Sequence, residues 1–210
     1  IVPPDSFCGC ESGRLFGDCC LKGGSIVKSP SKITPPLPLT NEAIRKCAVN
    51  SFRDCGGGMS GEHIFSRSVL KELSDTEVIL SSDRISGRYG LNSNVMKTNS
   101  LCRRHNSAFS PLDNEAARFV RAFKSINNDL NVHVYNKEKR FFLFSGADLE
   151  RWLLKTAINL FRCGYSSIRR PQYNITQGVE SFLYKEDWPP LMGLYFAVSE
   201  KNLKFTSKSS

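Results

Sequence analysis

Apolar positions recur with two different periods along this chain, and the two periods mark out its elements. In TNEAIRKCAVNSF, Ile44, Cys47, Ala48 and Phe52 fall on one helical face, which predicts a short helix capped by Thr40. Gly56, Gly57 and Gly58 end it in a turn. SRSVLKEL reads as a second short helix and EVILS as a strand, with Gly87, Gly90, Asn92 and Asn94 marking a loop. In DNEAARFVRAFKSI, Leu112, Ala116, Phe119, Val120 and Phe123 return at spacings of three and four, the signature of an amphipathic helix. NVHVY and RFFLF, separated by NKEK, predict a hairpin. ADLERWLLKTAINLFR is the most regular helix, with Leu149, Leu153, Ala157 and Leu160 on its apolar face, and VESFLY and MGLYFAV read as strands before a polar end. The class predicted is α+β.

These elements divide the chain into four parts. Residues 1–24 hold the cysteine-rich FCGCESGRLFGDCCL, and residues 25–39 read as a linker because the stretch Ser29 to Pro38 contains four prolines, which remove amide donors and favour an extended chain. Residues 40–126 form the expected core, and residues 127–210 an α+β extension to which no chemistry is assigned. A length of 210 residues suits one well-cored domain plus a small module.

No apolar run approaches the roughly 18 to 20 residues of a membrane span. The chain opens with no charged segment followed by an apolar one, so a cytoplasmic location is the expectation. Lys and Arg number 29 against 20 Asp and Glu, a formal net charge of +9. That balance favours a polyanionic partner, nucleic acid or an acidic protein surface, although a basic protein without such a partner has the same composition.

Eight cysteines sit at Cys8, Cys10, Cys19, Cys20, Cys47, Cys55, Cys102 and Cys163. The first four fall within thirteen residues, in pairs too close for comfortable disulfides but well suited to share a metal. Four thiolates placed tetrahedrally suit structural zinc, and Gly9, Gly13 and Gly17 permit the turns that bring the pairs together. The pattern Cys-Gly-Cys, Ser12-Gly13 and the closing Cys-Cys-Leu resembles the SEC-C motif, found at the carboxyl end of the bacterial preprotein-translocase motor and appended to many other bacterial proteins. The resemblance implies a zinc-bound docking knob that contacts a partner protein or the ribosome.

GEHIF and LCRRHN carry the other candidate chemistry. Metal-assisted hydrolysis of a phosphodiester needs a base to deprotonate water and a divalent cation to stabilise developing charge. His63 beside Glu62 offers a base and a ligand, and Asn99, His105 and Asn106 offer further ligands in one polar window. Taken together, the two segments resemble the HNH nuclease family. In that family a Glu-His or Asp-His pair ends a strand, and a later Leu-Cys segment opens the helix of a ββα-metal fold.

The resemblance covers about residues 44 to 120. It implies His63 as general base, Glu62 and Asn106 as ligands of one Mg2+ or Mn2+, and Asn99 ordering the loop that carries the base, with Asn92 or Asn94 as competitors for that last role. His105 falls where the family has a zinc cysteine, so Cys47, Cys55, Cys102 and His105 form a possible second structural Zn2+ site; otherwise His105 is free to join the catalytic metal. Cys47 is equally explained as a small core residue. Arg67, Arg103 and Arg104 are candidate phosphate contacts, and Asp113 a helix cap. His133, Cys163, Trp152, Phe141, Phe142 and Phe144 are expected to be structural.

The expectation is thus an HNH-type endonuclease acting on double-stranded DNA, in defence or mobile-element biology. Its rivals are a non-enzymatic zinc adaptor and a ribonuclease toxin. Oligomeric state is not legible.

Overall fold

A computed structural model describes residues 2–35, 37–73, 78–82, 85–89, 97–132, 140–162 and 179–184. Asn92, Asn94, His133, Cys163, the NKEK turn and MGLYFAV lie outside them. The described chain mixes helices with three two-stranded antiparallel pairs, an α+β class. No described helix is long and apolar enough to cross a membrane.

The amino-terminal module contains α1 (Phe16–Cys19), β1 (Leu21–Lys22) and β2 (Ser25–Ile26). β1 and β2 pair across Gly23 and Gly24, whose φ values of 56° and 80° suit the tight turn. The Val27 amide donates to the Cys20 carbonyl at 2.8 Å, so the module runs to residue 27. β3 (Glu62–His63) pairs with β6 (Lys97–Thr98), and β4 (Val78–Ser82) with β5 (Ile85–Tyr89). EVILS is therefore a strand as expected, but Gly87 pairs with Leu80 inside β5 instead of marking a loop.

The helical frame is α2 (Arg67–Glu72), α4 (Ser110–Val132) and α5 (Gly146–Arg162), preceded by the short α3 (Arg103–Ala108). Small side chains let α4 approach its neighbours: Ala116 and Ala117 are buried with Val69 of α2. Phe123, expected on that face, is 65% exposed.

α5 turns a polar stripe inward. Its leucines are only part-buried, whereas Asp148, Arg151, Lys155 and Asn159 are buried at helical spacing. Every one of them has a partner. Asp148 accepts from the Ser31 amide at 3.0 and 3.1 Å and from its hydroxyl at 2.8 Å, and Arg151 donates to the Ser31 carbonyl at 2.8 Å. Lys155 donates to both Asp113 oxygens at 3.0 Å, and Asn159 hydrogen-bonds Ser100. Asp113 is thus taken up by Lys155 and Ser66 and does not act as the helix cap that was expected.

Those partners change the meaning of the proline-rich segment. It is extended, as proline dictates, but it is a strap and not a free linker. Lys28 pairs with Glu115, Ser31 is held by α5, Ile33 is only 4% exposed in the main core, and the Pro38 carbonyl accepts from Arg104 at 2.9 Å. The module is fastened too. The Gly9 carbonyl accepts from the Leu143 amide at 3.0 Å and from Arg118 at 3.1 Å, and Phe16 meets Phe141 edge-on at 5.6 Å.

Three predicted elements are corrected. Residues 40–44 are irregular and residues 45–52 form turns and a 3-10 helix (Asn50–Phe52), not an α-helix. Their amides are drawn elsewhere, with Ala48 donating to the Ser100 carbonyl at 2.7 Å and Thr40 to Asp54 at 2.9 Å. α4 continues through Asn131 and Val132, and residues 140–145 are irregular because Leu143 is tied to Gly9, so the hairpin expected from NVHVY and RFFLF is not formed as read. VESFLY opens with a 3-10 helix (Val179–Leu183) in place of a strand.

If the strap is part of the folding unit, Ile33→Ala should lower unfolding free energy by about 2–5 kcal/mol in denaturant titration. Leu37→Ala, at a position 84% exposed, should stay within about 0.5 kcal/mol.

Candidate metal centre and the adjoining histidine site

The centre is built at a chain reversal. Gly57 and Gly58, at φ 72° and 71°, turn the segment after Cys55 back on itself. The Gly58 and Gly56 carbonyls then accept from the Arg103 and Arg104 amides at 2.9 and 3.3 Å, satisfying donors that the first turn of α3 leaves over. Met59 and Cys102 form an isolated antiparallel bridge, and the Ser60 amide donates to Leu101 at 2.8 Å. Cys102 is the N-cap of α3, its sulfur accepting from the His105 amide at 3.5 Å.

This reversal brings Cys47, Cys55, Cys102 and His105 together at 0% exposure. His105 Nδ1 lies 3.1 Å from Cys102 Sγ, 3.5 Å from Cys47 Sγ and 3.8 Å from Cys55 Sγ. A tetrahedral zinc with ordinary Zn–S and Zn–N bonds places sulfur and nitrogen about 3.6 Å apart, so the three distances bracket that edge. Burial pushes the Cys47 thiol up to about 12 and raises Cys55 as well. It lowers His105. Dry surroundings thus oppose ionisation of the thiols, and a bound dication would supply the compensating charge. His105 belongs to this cluster through Nδ1.

Cys8, Cys10, Cys19 and Cys20 form the other group able to hold an ion. Cys19 Sγ is 3.5 Å from Cys10 Sγ and 3.8 Å from Cys20 Sγ, close to the roughly 3.8 Å edge of a four-sulfur zinc tetrahedron. All four are free thiols in the structure. Ser12 lies at 3.2 Å from Cys19 Sγ and Arg14 donates to it at 3.2 Å. Against burial, which raises it, hydrogen bonds from Ser12 and the neighbouring cysteines bring the Cys10 thiol down to about 6. Both clusters can hold a metal such as zinc.

The Glu-His pair sits on β3, in register with Thr98 and Lys97 of β6. Successive strand residues face opposite ways, and here Glu62 points in while His63 is part-buried. Glu62 accepts from Ser100 Oγ at 2.6 Å and stands 3.9 Å from Lys155 Nζ. Burial raises its carboxyl above the usual range, with Lys155 opposing. Glu62 is thus turned inward, with its Oε2 buried and without a hydrogen-bond partner among the described residues; neither it nor His63 belongs to a group of three or more His, Cys, Asp or Glu side chains able to share an ion among the described residues.

Asn106 donates to Ser60 Oγ at 3.0 Å, and the exposed Asn99 has its Oδ1 over Gly61, 3.9 Å from where a Cβ would stand. The two asparagines thus converge on the two residues ahead of Glu62 and His63. Arg67 and Arg103 are exposed. Arg104 is committed to Asp54 at 3.0 and 3.1 Å, which corrects its place among the free phosphate contacts.

Sequence reasoning missed Lys97, Ser100, Lys155, Asn159 and Tyr184. Lys97 is found by the strand register alone, and the rest lie beyond any local motif. Comparison with protein-family models, curated proteins and solved structures finds no match to this chain.

Zinc analysis of the purified chain should give about two ions, one per cluster, and Cys102→Ser about one. Burial, Lys97 and Arg67 all hold His63 below its ordinary 6.5. Its NMR titration midpoint should accordingly fall below 6.5, the imidazole staying neutral into mildly acidic solution.

Proposed function

We propose that β3, β6 and α3 form a ββα-metal unit of the HNH type, and that the chain is a metal-dependent endonuclease acting on DNA. The observation that carries this is the convergence of Asn99 and Asn106 on Ser60 and Gly61, immediately before the Glu62–His63 pair, over the corner that holds the Cys47–Cys55–Cys102–His105 cluster.

His63 is the base. Its neutral form is favoured by burial and by the Lys97 and Arg67 charges, so at neutral pH it is ready to take a proton from water. Asn99 and Asn106 supply the amide oxygens that a hard cation accepts. A bound Mg2+ or Mn2+ would stabilise charge on the phosphate. Glu62, turned inward on β3 with one buried oxygen unpartnered among the described residues, anchors the strand from inside in this reading. Lys97, Arg67 and Arg103 lie where they can meet backbone phosphates, with little base readout. The cysteine-rich module adds a surface for a protein partner, and both clusters hold structural zinc.

The burial of Glu62 favours one rival, a zinc-containing adaptor that docks on nucleic acid, the ribosome or a partner protein without chemistry. It shares the two zinc ions but cleaves nothing. Plasmid and RNA cleavage with Mg2+ or Mn2+ separates the readings. Wild-type protein should nick plasmid, and His63→Ala should lose about 10²–10⁴-fold in rate, with Asn106→Ala also impaired. Nicking retained by His63→Ala removes histidine from the role of base; cleavage of RNA alone reassigns the substrate; absence of cleavage by wild type favours the adaptor.

A further inference from the structure

The amino-terminal cysteine loop is held to the rest of the chain by the residues between and beside its sulfurs. Gly9 lies between Cys8 and Cys10, and Glu11 follows them. The Gly9 carbonyl accepts from the Leu143 amide at 3.0 Å and from Arg118 Nη2 at 3.1 Å. Gly9 is not in the left-handed region, so its backbone does not call for glycine. A Cβ there would stand 2.6 Å from the Phe141 carbonyl oxygen, and the missing side chain is what lets residues 141–143 close on the loop.

Glu11 is the converse case. Its φ of 58° lies in the left-handed region that favours glycine, yet a glutamate stands there and its carboxylate reaches α4, 3.2 Å from Arg118 Nε and 3.6 Å from Arg121 Nη1. Arg118 is the hub of these contacts. It donates to the buried Glu115 at 2.6 Å and lies 5.2 Å from the centroid of the Phe144 ring. Glu115 also accepts from the Ser145 amide at 2.7 Å and pairs with Lys28. The guanidinium is thus set from its own side, and the loop meets it only with the Gly9 carbonyl and the Glu11 carboxylate in register. An ion held by Cys8 and Cys10 would fix the residue between them.

We propose that metal binding at the four-cysteine centre is coupled to the docking of its loop on Arg118 and residues 141–143. A metal on Cys8, Cys10, Cys19 and Cys20 sets the Gly9 carbonyl for Arg118 and Leu143, and those two bonds in turn hold the metal. Linkage makes the two effects equal in size. The proposal rests on the reading that this cluster holds a metal, and it is independent of whether the chain cleaves nucleic acid.

The test uses the full chain loaded with zinc, this centre being identified by the ion lost in Cys20→Ser. Arg118→Gln lies outside the loop and leaves all four sulfurs in place. It should weaken zinc binding at this centre about 10-fold in competition with a chelator, leaving the Cys102–His105 centre unchanged. Gly9→Ala should do the same by forcing Phe141 away. Reciprocally, Cys20→Ser should raise hydrogen exchange of the Leu143 amide about 10-fold, while the Ala48 amide, bonded to Ser100, keeps its rate.

Wild-type zinc affinity in both Arg118→Gln and Gly9→Ala, or a wild-type Leu143 rate in Cys20→Ser, overturns the coupling and leaves the metal reading intact. An equal rise at Ala48 also overturns it, since that marks general loosening. A chain whose zinc content is unchanged by Cys20→Ser overturns both.

Discussion

The contact between His105 and three buried thiols is the constraint on which the central part of the molecule depends. Cys47 and Cys55 come from a segment without regular helix, and Cys102 and His105 from the start of α3. β3 and β6 share only two residue pairs, too short a ladder to be stable alone, so the pieces depend on the cluster together with scattered bonds such as Ala48 to Ser100 and Arg104 to Asp54. With an ion bound, one tetrahedron fixes the turns at 44–55, the glycine reversal, the β6–α3 corner and hence the side of α3 that carries Asn106. Without one, the same four groups are dry thiols and an imidazole with an unpartnered Nε2. An ion bound there would make folding of this region and metal binding one process.

A second constraint, the polar stripe of α5, gathers what the metal centre does not reach. Asp148 and Arg151 hold the strap, Lys155 joins Asp113 of α4 to the neighbourhood of Glu62, and Asn159 meets Ser100 beside β6. Buried charges are costly unless paired: Asp148 and Arg151 pair within α5, while their bonds to Ser31 and that of Lys155 to Asp113 reach elements distant in sequence. Such pairing contributes specificity more than net stability: an apolar stripe would allow α5 to slide or rotate, whereas Asp148 has one serine to meet. The strap follows from this, since an extended proline-rich chain has backbone groups to satisfy and α5 supplies partners for those of Ser31.

Local periodicity made α2, α4 and α5 legible, motif spacing made the amino-terminal cysteine group legible, and a family resemblance pointed to the second group. What it could not reach was decided by distant partners. The apolar rhythm of Ile44, Cys47 and Ala48 suits a helix, but Ala48 donates to Ser100 and Cys47 is drawn into the cluster, so the segment closes into turns. RFFLF has the composition of a strand, yet its Leu143 amide is used by Gly9 and its Phe141 ring by Phe16. On α5 the leucine pattern gave the right helix and the wrong face, because a lysine or aspartate in a sequence carries no sign of whether a partner waits inside. His105 shows the opposite case, where one resemblance left two metals open and three sulfur distances choose between them.

The division between Glu62 and His63 ties these threads together. Adjacent on a two-residue strand, they must face opposite sides, so one cannot be placed without fixing the other. Glu62 is placed by Ser100 and Lys155, and Ser100 in turn by Asn159. The direction of His63 is thereby set from α5, nearly a hundred residues further along the chain, while Asn106 is carried by α3, whose first turn holds Cys102 and His105 of the cluster. Any chemistry at His63 needs both supports to agree within the tolerance of a hydrogen bond. Residues 146–162 are then part of the histidine site and not an appendage to it, even though they contribute no group to its open face.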